Sequence, residues 1–209
     1  MRRQMSARKK IALGVLVSGS GTNLQAIIDA SESGKIDARV AVVISDVPSA
    51  RALERARKHD TAAVAIERKD FDSKKSFEER IVTTLKEHGC ELVCLAGFMR
   101  IIGETLLGSY PDRIINIHPA LLPSFPGLDA QKQAFDYGVK VSGATVHFVD
   151  DKTDHGPIIC QKAVEVKEDD TAEALKERIL EQEHRIYPAA IQLIAEGRVS
   201  IEGRRVIIK

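Results

Sequence analysis

The chain has 209 residues, 44% apolar and 29% charged, with 31 Lys+Arg against 30 Asp+Glu. That length suits one large domain able to bury a substantial core, and the composition is that of an ordinary globular protein. The near-zero charge balance excludes a global pull toward nucleic acid or anionic lipid; no stretch has the length of a membrane span or the pattern of a signal peptide.

Residues 1–10 are locally basic, with Arg2, Arg3, Arg8, Lys9 and Lys10, and read as a flexible solvated arm. Ile11–Val17 reads as the first strand. It leads through Ser18-Gly19-Ser20-Gly21-Thr22-Asn23 into a helix marked by Leu24, Ile27 and Ile28. Glycines at such a turn let backbone N–H groups approach an anion, and the helix N-terminus adds the positive end of its dipole. Thr22 and Asn23 supply side-chain donors at the same place, so a phosphate is the natural guest.

Ala38–Ile44 is the second predicted strand, followed by Asp46, where a dinucleotide fold would carry its ribose-binding acid. Leu24 stands in place of the third fingerprint glycine, however, so a single phosphate fits better than a pyrophosphate. Asp46 is then expected to support the following turn. The segment Arg51–His59 keeps helical spacing, with Ser49 after Pro48 as its expected cap. Ala62–Ile66 is the next strand; Phe77, Ile81 and Leu85 mark a third helix capped by Ser73; Leu92–Leu95 is a fourth strand.

Arg113–Ile117 is the fifth strand, and its alternation puts Ile114, Asn116 and His118 on one side. Pro119, Pro123, Pro126 and Gly127 then forbid helix and stiffen the loop. An amide and an imidazole emerging together at a strand end suit oxyanion stabilisation and proton transfer. Alternating strands and helices up to this point predict a Rossmann-like α/β fold, a mostly parallel sheet with helices on both faces.

After residue 140, Ser142–Val149 and Pro157–Val166 read as longer strands that make the sheet mixed toward the C-terminus. The loop between them holds Asp150, Asp151 and Asp154. An acid beside His118 would favour the protonated imidazole and fix its orientation, and spacing does not choose among the three. His147, between Val146 and Phe148, reads as structural. A long helix follows over about 171–196, with Leu175, Ile179 and Ile186 facing inward. Gln182 and Glu183 share that face, either as ligand contacts or as the helix edge. Val199–Ile201 and Arg205–Ile208 read as a terminal hairpin. Cys90, Cys94 and Cys160 lack the spacing of a redox motif or zinc knuckle, so no metal is expected and reduced thiols point to the cytoplasm.

Taken in order, Ser18–Ile27, Leu95-Ala96-Gly97-Phe98-Met99-Arg100, Asn116–Gly127, Asp154-His155-Gly156-Pro157 and Gln182–Pro188 resemble the phosphoribosylglycinamide formyltransferase family. The resemblance covers about residues 11–205 and implies one formyltransferase domain over 11–209. It implies 10-formyltetrahydrofolate as formyl donor and 5'-phosphoribosylglycinamide as acceptor, with no nucleic-acid or membrane partner, and it allows a homodimer. Asn116, His118 and Asp154 would be the catalytic trio. Gly21, Thr22 and Asn23 would hold the phosphate, and Glu183 the ribose or glycinamide portion. The folate site would comprise Met99, Arg100, Ile101 and Ile102, largely through backbone, with Asn116 and the loop Asp150, Asp151, Lys152, Thr153 and Asp154. Lys74 stands where some relatives carry an Arg toward the folate tail, which keeps the charge and loses the bidentate fork. Leu180 replaces a Gln and His155 a small or acidic residue. The runner-up is a formyltetrahydrofolate hydrolase; such enzymes usually carry an N-terminal regulatory domain, for which no room is expected before Ile11. A non-catalytic nucleotide-binding module is the reading from a different class.

Overall fold

In a computed structural model, which describes residues 10–209, strand β1 (Ile11–Val17) runs parallel between β2 (Ala38–Ser45) and β4 (Leu92–Leu95). The basic segment 1–9 lies outside the described residues. Strand β3 (Ala62–Ala65) extends the parallel set beyond β2, and β5 (Ile114–His118) extends it beyond β4. The sheet then turns antiparallel through β6 (Val141–Phe148) and β7 (Ile158–Glu165). A hairpin of β8 (Val199–Glu202) and β9 (Arg205–Ile208) completes it, giving the order β3-β2-β1-β4-β5-β6-β7-β9-β8. This is the mostly parallel α/β sheet, mixed toward its C-terminal end, that the alternation predicts.

Strand alternation divides the core into two layers. Leu13, Val15 and Val17 face a cluster shared with α1 (Thr22–Glu32), α2 (Arg51–Lys58) and α6 (Ala172–Ala195). Leu16, Val42, Ile44 and Val93 face the other, built on α3 (Lys74–Glu87) and α4 (Glu104–Ser109). Each fully buried Leu or Ile contributes about 1.5–3 kcal/mol of transfer free energy, so both layers oppose the chain's conformational entropy. Helix α6 is also stapled to the sheet by a polar contact: the buried Tyr187 hydroxyl lies 2.9 Å from the Leu95 carbonyl and 3.2 Å from that of Ile115.

Ser73 caps α3 as expected, its hydroxyl accepting from Ser76 N–H at 3.0 Å in a capping box. The cap of α2 differs from expectation. Ala50, not Ser49, occupies the N-cap position, and no side chain caps this helix. Helices α4 and α5 (Ala130–Tyr137) and a short 3-10 turn at Arg68–Asp70 are additions that the sequence pattern does not announce.

All five parallel strands end on one rim, and an open α/β sheet binds its ligands in the crevice outside those carboxyl ends. The glycine turn after β1 and the Asn116–His118 strand end both lie there.

Candidate active site

The turn after β1 is shaped by Gly21, whose φ of 71° is left-handed and favours glycine. A Cβ there would lie 2.7 Å from Ala52 Cβ and 2.9 Å from Ala52 Cα, so α2 also demands the bare backbone. The first intrahelical bond of α1 runs from Gln25 N–H to the Gly21 carbonyl at 2.9 Å, which leaves the N–H groups of Thr22, Asn23 and Leu24 outside the helix ladder. No acidic residue sits in that first turn to compete for them. Arg55 backs the turn with a 2.8 Å bond from Nε to the Ser20 carbonyl, a contribution absent from the sequence reading. The turn therefore presents a row of backbone N–H groups, a geometry that could take an anion.

Asn23 also joins α1 to α6: its Nδ2 donates one hydrogen to Glu183 Oε2 at 2.6 Å. Burial raises the Glu183 pKa, and the Asn23 bond pulls it partly back. Asn23 Oδ1 is buried without a protein partner, an acceptor suited to an N–H or O–H of a ligand. Glu183 is therefore buried at the inner face of α6, whereas Gln182 is half-buried at its edge.

At the other end of the rim, β5 and β6 pair so that Asn116 faces His147 and His118 faces Thr145. Asn116 Nδ2 lies 3.2 Å from His147 Nε2 and 3.3 Å from Asp154 Oδ1. His147 Nδ1 is 2.7 Å from the Phe148 carbonyl. A carbonyl can only accept, so Nδ1 carries a proton, while Nε2 faces the Asn116 amide and, at 3.7 Å, Asp154 Oδ1. His147 is thus a buried neighbour of the cluster, its ring in contact with Asn116 and the Phe148 carbonyl, beyond the strand position read from the sequence.

His118 is held from both sides. Its Nε2 lies 2.8 Å from the Phe125 carbonyl and must donate, and its Nδ1 lies 3.3 Å from Asp154 Oδ2. Nδ1 is therefore the atom at which a second proton is gained or lost. Burial lowers the His118 pKa; Asp154 and the Phe125 carbonyl oppose it, His147 assists it, and the net direction is down. Asp154 favours the protonated ring as expected of an adjoining acid, but desolvation of a ring with only 4% of its side chain exposed outweighs that contribution.

Asp154 is the loop acid that joins the cluster. It has a φ of 48°, and its Oδ2 also accepts from Gly127 N–H at 2.8 Å, tying the proline-stiffened loop to the strand end. Burial pushes its carboxyl up, but the His147 and Gly127 contacts and the nearby imidazoles outweigh that and leave it below the ordinary carboxylate range. Gly156 lets the segment close, since a Cβ there would come within 1.9 Å of the Phe148 carbonyl. Asp150 is engaged elsewhere, accepting from Lys152 N–H at 3.1 Å and facing His155 Nδ1 at 2.7 Å. Asp151, Lys152 and Thr153 are exposed. Arg204 of the terminal hairpin donates to the His155 carbonyl at 2.6 Å and so steadies the loop from outside.

Between these two ends runs the segment after β4. Met99 and Ile101 are 61% and 68% exposed on this rim. The Ile102 side chain joins the core of α3 and α4, so any ligand contact it makes comes from its backbone. Lys74 lies farther along, its Nζ 4.0 Å from Glu78, whose carboxylate accepts from Gly103 and Leu106 N–H at the start of α4.

An amide, an imidazole and a half-buried carboxylate gathered at a parallel strand end, on the same rim as a glycine turn that opens a helix, are the arrangement of an α/β enzyme site. The chain belongs to the formyl transferase family, whose model matches residues 9–191. It is 48% identical to the phosphoribosylglycinamide formyltransferase of Bacillus subtilis over 184 residues, covering 88% of this chain and 93% of that protein. In structure it is similar to glycinamide ribonucleotide transformylase 1 from Symbiobacterium toebii, with a TM-score of 0.94, 55% identity and coverage of 96% of this chain and 94% of the other. A formyltetrahydrofolate deformylase from Pseudomonas syringae is more distant at 27% identity and a TM-score of 0.88, this chain spanning 67% of its length. Among the described residues no helix is long and apolar enough to cross a membrane, and no group of three His, Cys, Asp or Glu side chains is arranged to hold a metal ion.

Proposed function

We propose that this protein is a phosphoribosylglycinamide formyltransferase, which moves the formyl group of 10-formyltetrahydrofolate to the amine of 5'-phosphoribosylglycinamide in purine biosynthesis. The observation that carries the reading is the common rim: the Gly21–Asn23 turn and the Asn116–His118–Asp154 cluster lie at the carboxyl ends of parallel strands β1 and β5, on either side of β4, as a phosphorylated amine and its acyl donor require. The similarity to transformylases over nearly the whole chain supports it. Cys90, Cys94 and Cys160 are all free thiols, which supports action in a reducing cytoplasm.

In this reading the backbone N–H groups of Gly21, Thr22 and Asn23 bind the phosphate, and Glu183 with Asn23 Oδ1 engages the sugar or glycinamide. The pterin lies along the Met99–Ile102 backbone, the 150–154 loop covers it, and Lys74 meets the acidic tail. The amine nitrogen attacks the formyl carbon and the carbonyl oxygen becomes an oxyanion. Asn116 Nδ2 donates to it, using the hydrogen otherwise shared in the long 3.3 Å contact with Asp154. Neutral His118 accepts the proton shed by the amine, and Asp154 stabilises the imidazolium formed. The C–N bond to the folate then breaks, and the same proton passes to the departing folate nitrogen. A histidine whose pKa is pulled down by burial suits this exchange, because it releases the proton it has just taken.

The test is folate product release with and without the ribonucleotide. Release only when the ribonucleotide is present supports formyl transfer. Release at the same rate without it identifies a hydrolase, and no release at all leaves a binding module.

A further inference from the structure

Asp46 stands at the end of β2 with only 3% of its side chain exposed, and it belongs to neither the anion turn nor the catalytic cluster. Its two oxygens reach two separate segments. Oδ1 accepts from Ser18 Oγ at 2.6 Å, and Oδ2 accepts from Arg100 Nε at 2.7 Å. Ser18 completes a ring of contacts: its Oγ accepts from Met99 N–H at 2.9 Å, and its own N–H donates to the Gly97 carbonyl at 3.0 Å. The expectation that Asp46 serves the following turn is therefore corrected. That turn is made by Ser45, whose Oγ contacts the Val47 N–H at 3.1 Å and its carbonyl at 3.0 Å.

We infer that Asp46 is a positioning residue for the folate side of the proposed site. Through the Ser18 hydroxyl and the Arg100 side chain it holds the 97–102 segment against the first residue of the turn after β1. The inference rests on the function proposed above and adds to it the device that sets the seat of the donor. Three features carry it. The carboxylate is buried, so its acceptor capacity has to be met by these donors or left at a cost. The Ser18 hydroxyl has one proton, and with that proton on Asp46 its lone pair is aimed at Met99 N–H. The Arg100 bond uses Nε alone, which orients the guanidinium and leaves its outer NH2 groups for other partners. Remove the carboxylate and the Arg100 side chain loses its anchor to β2, while the Ser18 hydroxyl loses the acceptor that aims its lone pair at Met99 N–H. The Ser18 N–H bond to the Gly97 carbonyl stays, and Gly21–Asn23 keep their supports in α1 and Arg55.

The experiment is steady-state kinetics in both substrates, together with calorimetric titration of a folate analogue, on the wild type, Asp46→Asn and Ser18→Ala. Hydrogen bonds to charged groups are strong enough that Asp46→Asn is expected to raise the folate KM and the analogue Kd by about 10-fold or more. The ribonucleotide KM and kcat should change by less than about 3-fold. Ser18→Ala should move the folate constants in the same direction by a smaller factor. A role confined to folding would lower the melting temperature and the active fraction without moving the folate constants, and that result overturns the inference. If Asp46→Asn does not fold, an unchanged folate KM in Ser18→Ala overturns it alone. A wild type that releases folate product without the ribonucleotide contradicts formyl transfer instead, and the analogue Kd of each variant against wild type still decides the role of Asp46.

Discussion

The two ends of the proposed site are built on opposite plans. The proposed anion turn comes from one continuous stretch, Ser18–Leu24, and consists largely of backbone held by a left-handed glycine and the start of a helix. The proposed catalytic end is assembled from Asn116 and His118 on β5, His147 on β6, Asp154 on the following loop, and carbonyl and N–H groups at Phe125 and Gly127. The first needs little beyond local chain geometry to bind a fixed charge. The second handles charge that appears and disappears during reaction, which takes side chains whose protonation their neighbours can tune. The difference teaches that substrate anchoring and chemistry should be separable by mutation.

Three changes would break or sharpen that separation. His118→Ala removes the proton-exchanging group and is expected to lower turnover on the order of 100–1,000-fold. The ribonucleotide dissociation constant should stay near wild type in equilibrium titration, and near-normal turnover would sink the assignment. Gly21→Ala acts at the other end. It forces a Cβ against Ala52 at a φ of 71°, with a cost on the order of 1–3 kcal/mol, visible as a lower melting temperature and a raised ribonucleotide KM. A larger rise in the folate KM than in the ribonucleotide KM would contradict the assignment of the turn. The smallest effect concerns pH. Burial holds the His118 pKa below 6.5, so the acid limb of kcat/KM, where the base becomes protonated, should lie below that value. His147 contributes to the lowering, so His147→Gln, which can accept from Asn116, should move that limb to higher pH. A limb that stays in place would show that the titrating group is not His118.

Much of the fold is legible in the sequence because apolar alternation and helical spacing are imposed by a two-layered core. The exceptions have physical causes. Helix α5 buries only Ala130 and Ala134, and α4 spans six residues with Leu106 as its one buried side chain, so neither leaves a strong periodic trace. At the site, Asn116 and His118 are readable from one strand's alternation, since neighbours of a polar pair on a strand are known locally. His147 is not. It sits between Val146 and Phe148 like any strand residue, and only the β5–β6 register sets it opposite Asn116. Asp154 is one of three acids in its loop, singled out in sequence by family resemblance and in space by its contacts with His118 and Gly127. The attraction of a carboxylate for His118 can be anticipated from residue types. The depth of burial that outweighs it cannot, and burial sets the sign of the net pKa shift.

The most direct test of separable anchoring and chemistry is Asp154→Asn, measured once for turnover and once for ribonucleotide affinity. Asn cannot hold the negative charge that stabilises the imidazolium on His118, whereas Gly21–Asn23 are untouched. Turnover reduced by about 100-fold or more with a ribonucleotide Kd within about 3-fold of wild type is the predicted result. Parallel loss of affinity and turnover, or loss of neither, would contradict the account.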